Sequence, residues 1–357
     1  MQTDIYRKIQ QQLDLYSMGF PATESGLDQK ILKYLFSESD ALMFSAMTPV
    51  LETAREVASR LDRPEEEVSA QLEDMAEKGL LFRVKSDEHG SRYSAIPFVH
   101  GLYEFQIKGI KQDLVEMIKA YSEEAFDGAM QQGAEYFLRT IPVQESIDVT
   151  HNVASYDDAI EIFRNKSFIV VTDCICRRSA ELIDQNCGKP MEACFMFGAM
   201  GQYYLDRGMG RKITLEEATD ILAKCREAGL VTQPATSQNP GGMCNCCGDC
   251  CGVLIALKKH PKPAELVFSN HFAVVGTDDC TGCGECMERC QMTAITIHDD
   301  GFAVVNKDRC IGCGLCITTC PTEAMKLVPK PDSKFRTPPA TLAEQAMLMA
   351  KKRGVLT

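Results

Sequence analysis

Two short runs of cysteine constrain this chain more than anything else in it. DCTGCGECMERCQ places Cys280, Cys283, Cys286 and Cys290 at the spacing CxxCxxCxxxC, and RCIGCGLCITTCP repeats that spacing with Cys310, Cys313, Cys316 and Cys320. Two residues between ligands let a short loop wrap three corners of a cubane iron-sulfur cluster, with backbone amides turned towards its sulfides. Gly282, Gly284, Gly312 and Gly314 lie within these loops, where the lack of a Cβ permits that close approach. The fourth cysteine of each run reads as the start of a helical turn that points away from its own loop. Paired CxxC units also build zinc sites, but the tandem spacing seen here is much more restrictive.

Short alternating segments flank the ligands. HFAVV precedes the first run, AITIH and FAVVN follow it around a turn at Asp299, Asp300 and Gly301, and MKLV follows the second. They read as strands of a small two-fold repeat with a period of about thirty residues. Residues 270–330 closely resemble the bacterial ferredoxins that carry two 4Fe-4S clusters. The resemblance implies that the fourth cysteine of each run serves the other cluster. One set is then Cys280, Cys283, Cys286 and Cys320, and the other is Cys310, Cys313, Cys316 and Cys290. It also implies transfer of single electrons rather than a transformation of substrate. One departure is visible: Gln291 follows the first run where the family has proline, as Pro321 does after the second.

The chain has eighteen cysteines in all, and none precedes Cys174. No basic start followed by an apolar run opens the sequence, and no stretch is apolar enough to span a bilayer. A cytoplasmic protein is therefore expected, and in that compartment a cysteine-rich chain is a metal or redox protein rather than a disulfide scaffold. In the middle of the chain, Cys174 and Cys176 follow the apolar strand FIVVTD, Cys187 and Cys194 come next, and GGMCNCCGDCCG holds Cys244, Cys246, Cys247, Cys250 and Cys251. Arg177 and Arg178 stand beside the first pair, where positive charge favours thiolate. These nine cysteines form a candidate further metal site. The favoured reading is a third iron-sulfur cluster on Cys174, Cys176 and members of the 244–251 run; zinc, a redox dithiol and a structural role stay open. The two CCG triplets resemble those of heterodisulfide-reductase-type subunits, whose noncubane clusters split disulfides, although the surrounding spacing differs. Cys225 shares an apolar face with Leu215, Ala218 and Leu222 on a helix capped by Thr214, and is assigned to the core.

The fold class expected is α+β. Residues 25–100 read as three helices and two strands around the turn KSDEHGS, an order that resembles a winged helix. Its last helix carries Val68, Leu72 and Met75 as an apolar stripe between Pro64 and Gly79. Residues 101–265 read as a helical and mixed α/β cysteine-rich domain, residues 270–330 as the ferredoxin module, and residues 331–357 as a proline-rich linker and short amphipathic helix.

Charge decides between partners. With 38 basic against 50 acidic residues the formal net charge is −12, which repels phosphate polymers. The would-be recognition helix carries Glu65, Glu66, Glu67, Glu73, Asp74 and Glu77 against Lys78 alone. Nucleic acid is not expected as a partner, and this helix reads as a protein-facing or solvated surface. No dinucleotide, P-loop, HExxH or GxSxG motif is found, and the six histidines are scattered. The expected function is electron transfer between redox proteins through two 4Fe-4S clusters, with a third cluster in the middle domain. The alternatives are a redox enzyme or oxidoreductase subunit that handles substrate at the middle cysteines, and an iron-sulfur transcriptional sensor. The whole chain also resembles 4Fe-4S-binding proteins of anaerobic bacteria, a resemblance that carries no reaction with it.

Overall fold

The computed structural model describes residues 4–86, 90–143 and 155–355. Asp87, Glu88 and His89 of the expected turn, and His151, lie outside these residues. Helices and strands are both present, with all strand pairs antiparallel apart from one isolated bridge.

The amino-terminal part packs helices Ile5–Asp14, Leu27–Leu35, Glu38–Ala46, Ala54–Leu61 and Glu65–Glu77 around a small sheet. In that sheet Arg92–Ser94 lies between Glu52–Thr53 and Phe82–Val84. Helix Ala54–Leu61 begins where Thr53 and Glu56 form a reciprocal cap. Thr53 Oγ1 accepts the Glu56 N–H at 3.2 Å and the Glu56 carboxylate accepts the Thr53 N–H at 2.7 Å, holding the preceding backbone extended. Val68, Leu72 and Met75 are fully buried, as their spacing predicts. Two acids on the same helix are engaged inward, since Glu73 and Glu77 both pair with the buried Arg83 guanidinium.

The middle of the chain is built on a five-stranded sheet. Its order is Arg211–Ile213, Ile169–Asp173, Glu192–Phe197, Gly242–Cys246, Val231–Pro234. Val170, Val171, Phe195 and Phe197 are buried in it, so the 169–173 strand reads as a near-continuous apolar run rather than an alternation. Helix Leu215–Glu227 covers one face, capped by Thr214, whose hydroxyl accepts the Glu217 N–H at 3.1 Å. Ala218, Leu222 and Cys225 are fully buried, whereas Leu215 is 41% exposed. Leu215 thus falls off the expected stripe because it sits in the first turn, before the helix reaches the sheet.

Two antiparallel pairs, His271–Val275 with Met325–Pro329 and Ile295–Ile297 with Ala303–Val305, make up the cysteine-quartet segment. Buried polar contacts fasten it to the middle sheet. Arg139 Nε donates to Asp157 Oδ1 at 3.3 Å, and Asn270 Nδ2 donates to Asp157 Oδ2 at 3.2 Å. Arg309 reaches the carbonyls of Met292 and His260 at 3.1 and 3.3 Å. The last helix, Leu342–Lys352, lies on helix Asp127–Phe137, with Gln345 Nε2 donating to the Tyr136 carbonyl at 2.6 Å. Among the described residues no helix is long and apolar enough to cross a membrane.

Candidate iron-sulfur and thiolate sites

All eighteen cysteines are free thiols, and the structure sorts seventeen of them into groups. In the quartet segment, Cys280, Cys283, Cys286 and Cys320 line one small cavity of about 10 Å³ together with Ile297, Ala303 and Met325. Cys310, Cys313 and Cys316 gather with Cys290, whose charge is felt by each of the three. Each gathering therefore contains three cysteines of one run and the fourth of the other.

The local backbone fits a cluster cradle. Gly282 and Gly312 have φ of +67° and +70°, and a Cβ on either would lie 2.1 Å from the Gly301 carbonyl oxygen or 2.2 Å from that of His271. Only glycine meets both demands. Backbone N–H groups already point at sulfur: Ala303 at Cys280 Sγ (3.3 Å), Ala273 at Cys310 Sγ (3.4 Å) and Ala294 at Cys290 Sγ (3.2 Å). The helical turn expected to start at each fourth cysteine sits earlier. Helix Glu285–Arg289 ends before Cys290 because Gly284, at φ +85°, turns the chain into it. Burial pushes the Cys313 thiol up to about 12, so a thiolate there needs a metal to compensate it.

The middle cysteines divide into six and three. Strand Gly242–Cys246 pairs with strand Glu192–Phe197 with Cys244 opposite Cys194. Cys174 begins helix Ile175–Leu182 at the end of strand Ile169–Asp173, its N–H bonded to the Met191 carbonyl at 2.8 Å. The six thiols then form a closed ring of electrostatic neighbours, each shifting the titration of the next: Cys174, Cys176, Cys251, Cys246, Cys244, Cys194 and back to Cys174. Donation from neighbouring thiols holds Cys174, Cys244 and Cys251 below the usual thiol range and raises the three between them.

One side of the ring opens on a cavity of about 230 Å³ that is also lined by His100, Tyr103 and Glu104. Burial works against a charged His100, but Glu104 and Cys244 outweigh it and raise its pKa to about 9. Glu104 itself is buried, accepts the Gly101 N–H at 2.8 Å, and is raised by that burial. Tyr103 shares a 2.7 Å hydrogen bond with Ser179. His100 and Glu104 line the same cavity as the ring, and no sequence motif singles them out; nothing links them to cysteines seventy or more positions away in the chain.

The second group is Cys187, Cys247 and Cys250, whose sulfurs all lie within 4.8 Å of one another. Arg177 runs between the two groups. It is buried, donates to the Asn245 carbonyl at 3.2 Å and stands 4.0 Å from Cys247 Sγ. Burial alone would lower its pKa, but Cys174, Cys194 and Cys247 hold it above its ordinary value. Arg178, expected to act beside it, instead faces outward and pairs with Glu181 at 2.8 Å, because consecutive residues of a helix point in different directions. Cys225 remains in the core, raised to about 12 by burial.

Residues 273–327 match the family described as 4Fe-4S dicluster domain. The carboxy-terminal segment is thus a ferredoxin-type iron-sulfur module, and the protein that carries it has an iron-sulfur electron-transfer role. No significant match to a curated protein or to a solved structure was found for the chain.

Proposed function

We propose that this chain passes single electrons from a redox partner through two 4Fe-4S clusters to a third iron-sulfur centre in its middle domain. The ligand sets are Cys280, Cys283, Cys286 and Cys320, then Cys310, Cys313, Cys316 and Cys290, and finally members of the six-thiol ring. Such clusters, when bound, take up and release one electron at a time. The carrying observation is the asymmetry of the module. Cys283 is exposed, whereas Cys290, Cys310 and Cys313 pack against the same core as Cys246 and Cys251 of the ring. The outer set faces a partner, and the inner set faces the middle domain.

This chain's own residues supply the rest. Arg177 balances thiolate charge, the glycine loops bring amides to sulfur, and the Asp157 network fixes the module against the sheet. A second reading, a redox enzyme or oxidoreductase subunit, is favoured by one feature: the cavity beside the ring, where His100 and Glu104 can hold or move a proton next to the thiols. We further propose that residues 25–100 are winged-helix-like, supported by the strand order of the small sheet, and that this unit docks protein rather than DNA. Arg83, on strand Phe82–Val84 of the small sheet, is consumed by Glu73 and Glu77, which disfavours the transcriptional-sensor reading. A cytoplasmic setting suited to anaerobic redox metabolism agrees with eighteen unpaired thiols.

Iron and acid-labile sulfide in anaerobically purified protein, with EPR of the reduced form, test this. About twelve irons per chain, falling by about four in Cys174→Ser with Cys176→Ser, are expected. About eight irons, unchanged in that variant, would sink the third centre.

A further inference from the structure

We propose that Cys187, Cys247 and Cys250 form a separate site for a single zinc-class divalent ion, with its fourth position open to water or an incoming thiol. The spacing of the sulfurs carries it. In a tetrahedral thiolate site with metal–sulfur bonds of about 2.3 Å, neighbouring sulfurs stand about 3.8 Å apart. Cys187 Sγ and Cys247 Sγ are 3.8 Å apart, and Cys250 lies within 4.8 Å of both. Each thiolate on a cubane binds a different iron, so cluster ligands stand further apart than ligands of one ion. Among the described residues this trio is the one group of three such ligands converging so tightly. Neither the six-thiol ring nor either ferredoxin set does so, although all are gathered around their own sites.

Local chain geometry explains why these three leave the other six. Along a strand side chains alternate between faces, so Cys244 and Cys246 share one side of the sheet while Cys247, one residue on, takes the other. Cys250 returns beside it within one short turn, and Cys187 arrives from the loop after helix Ile175–Leu182. Two cations face the trio. Arg177 stands 4.0 Å from Cys247 on the buried side, and Lys189, paired with Asp249 at 2.6 Å, stands on the outer side. Three thiolates and a divalent ion leave one negative charge, which these cations offset.

Among the described residues no fourth histidine, cysteine or carboxylate joins the group. Cys187 and Cys250 are partly exposed while Cys247 is buried, so the missing position faces outward. Three protein ligands and one open position are the arrangement of zinc sites that bind a reacting molecule rather than merely brace a fold. Zinc-class ions suit thiolate donors.

The test uses the full chain purified anaerobically, with zinc, iron and sulfide measured together. About one zinc per chain is expected, lost in both Cys187→Ser and Cys250→Ser while iron and sulfide stay at the wild-type level. Cobalt(II) added to zinc-stripped protein should give strong thiolate charge-transfer absorption, and 2-mercaptoethanol should shift that spectrum by filling the fourth position. Loss of about four irons in either variant would overturn the proposal by making these cysteines cluster ligands. So would equal zinc in wild type and both variants, or a cobalt spectrum indifferent to the added thiol. Because the ring variant Cys174→Ser with Cys176→Ser reports on iron, failure of this site and failure of the third cluster are read separately.

Discussion

The side-chain oxygen of Gln291 accepts the backbone N–H of Gly248 at 2.7 Å. The residue following Cys290 is thereby bonded to the residue following Cys247, so a hydrogen bond joins the ferredoxin module to the segment that carries the middle cysteines. Proline, the usual residue at this position in the ferredoxins it resembles, offers no such acceptor. Gln291→Ala leaves the Gly248 N–H without its partner and should weaken the docking of the module by about 1–2 kcal/mol. Urea unfolding followed by visible absorbance of the clusters measures it, and iron content should not change. An unaltered midpoint would show that the contact is dispensable.

Gly248 is there for proximity. A Cβ at this position would stand 2.6 Å from the Gln291 carbonyl oxygen, which is backbone and cannot swing aside. Gly248→Ala should therefore push module and sheet apart, at a cost of about 1–3 kcal/mol. Electron flow from the ferredoxin clusters to the proposed middle centre should slow with it, read by rapid-freeze EPR after mixing with reductant. Transfer at the wild-type rate would remove this contact from the route.

Asp157 sits between Arg139 and Asn270, all three buried. Removing its carboxylate strands the Arg139 charge away from water. Asp157→Ala should lose about 3–5 kcal/mol of stability, whereas Asn270→Ala, which removes a neutral donor, should lose about 1 kcal/mol. Chemical denaturation of the two variants side by side gives the ranking, and equal losses would contradict it.

Around exposed Cys283 the surface carries Asp278, Asp279, Glu285 and Glu288, all exposed. A donor with a basic face should be steered to it. Reduction by a cationic donor protein is expected to slow as ionic strength rises from about 0.05 to 0.5 M, where the screening length shrinks to a few ångströms. Glu285→Gln with Glu288→Gln should flatten that dependence. Stopped-flow reduction with an anionic donor serves as the control, and a salt dependence of the same sign there would argue against steering.

The amino-terminal helices should not bind duplex DNA. Helix Glu65–Glu77 presents acids, and Arg83 is held inside by two of them. Gel-shift assays at low salt should show no complex. Glu73→Gln with Glu77→Gln should instead destabilise the protein, because a buried guanidinium then lacks its counter-charges.

The two ferredoxin sites were legible in the sequence because their ligands lie close along the chain: Cys280, Cys283 and Cys286 are one loop, and spacing alone limits what they can wrap. The middle sites were legible only as a density of cysteine. Whether Cys247 joins Cys244 depends on the face of a strand, and the CNC of Cys244, Asn245 and Cys246 is the period-two signal that could have separated it. Nothing in the residues around Cys187 or His100 tells which distant cysteine each will meet. That is set by the register placing Cys194 opposite Cys244, and by the irregular 98–106 segment that brings His100 and Glu104 to the cavity beside the ring. The same limit applied to Arg177 and Arg178, adjacent in sequence but turned to opposite fates by the helix they share.

Arg353 closes the molecule. Its guanidinium bonds Asp14 Oδ1 at 3.1 Å and the Ser17 carbonyl at 3.3 Å, joining residues separated by almost the whole chain. A contact of such long loop length forms late, since the entropy of bringing its ends together is met only once the intervening chain is ordered. During synthesis, helix Ile5–Asp14 has to wait for the final turn of helix Leu342–Lys352 to emerge. The cysteine loops between them are made, and open to metal delivery, before that latch can shut.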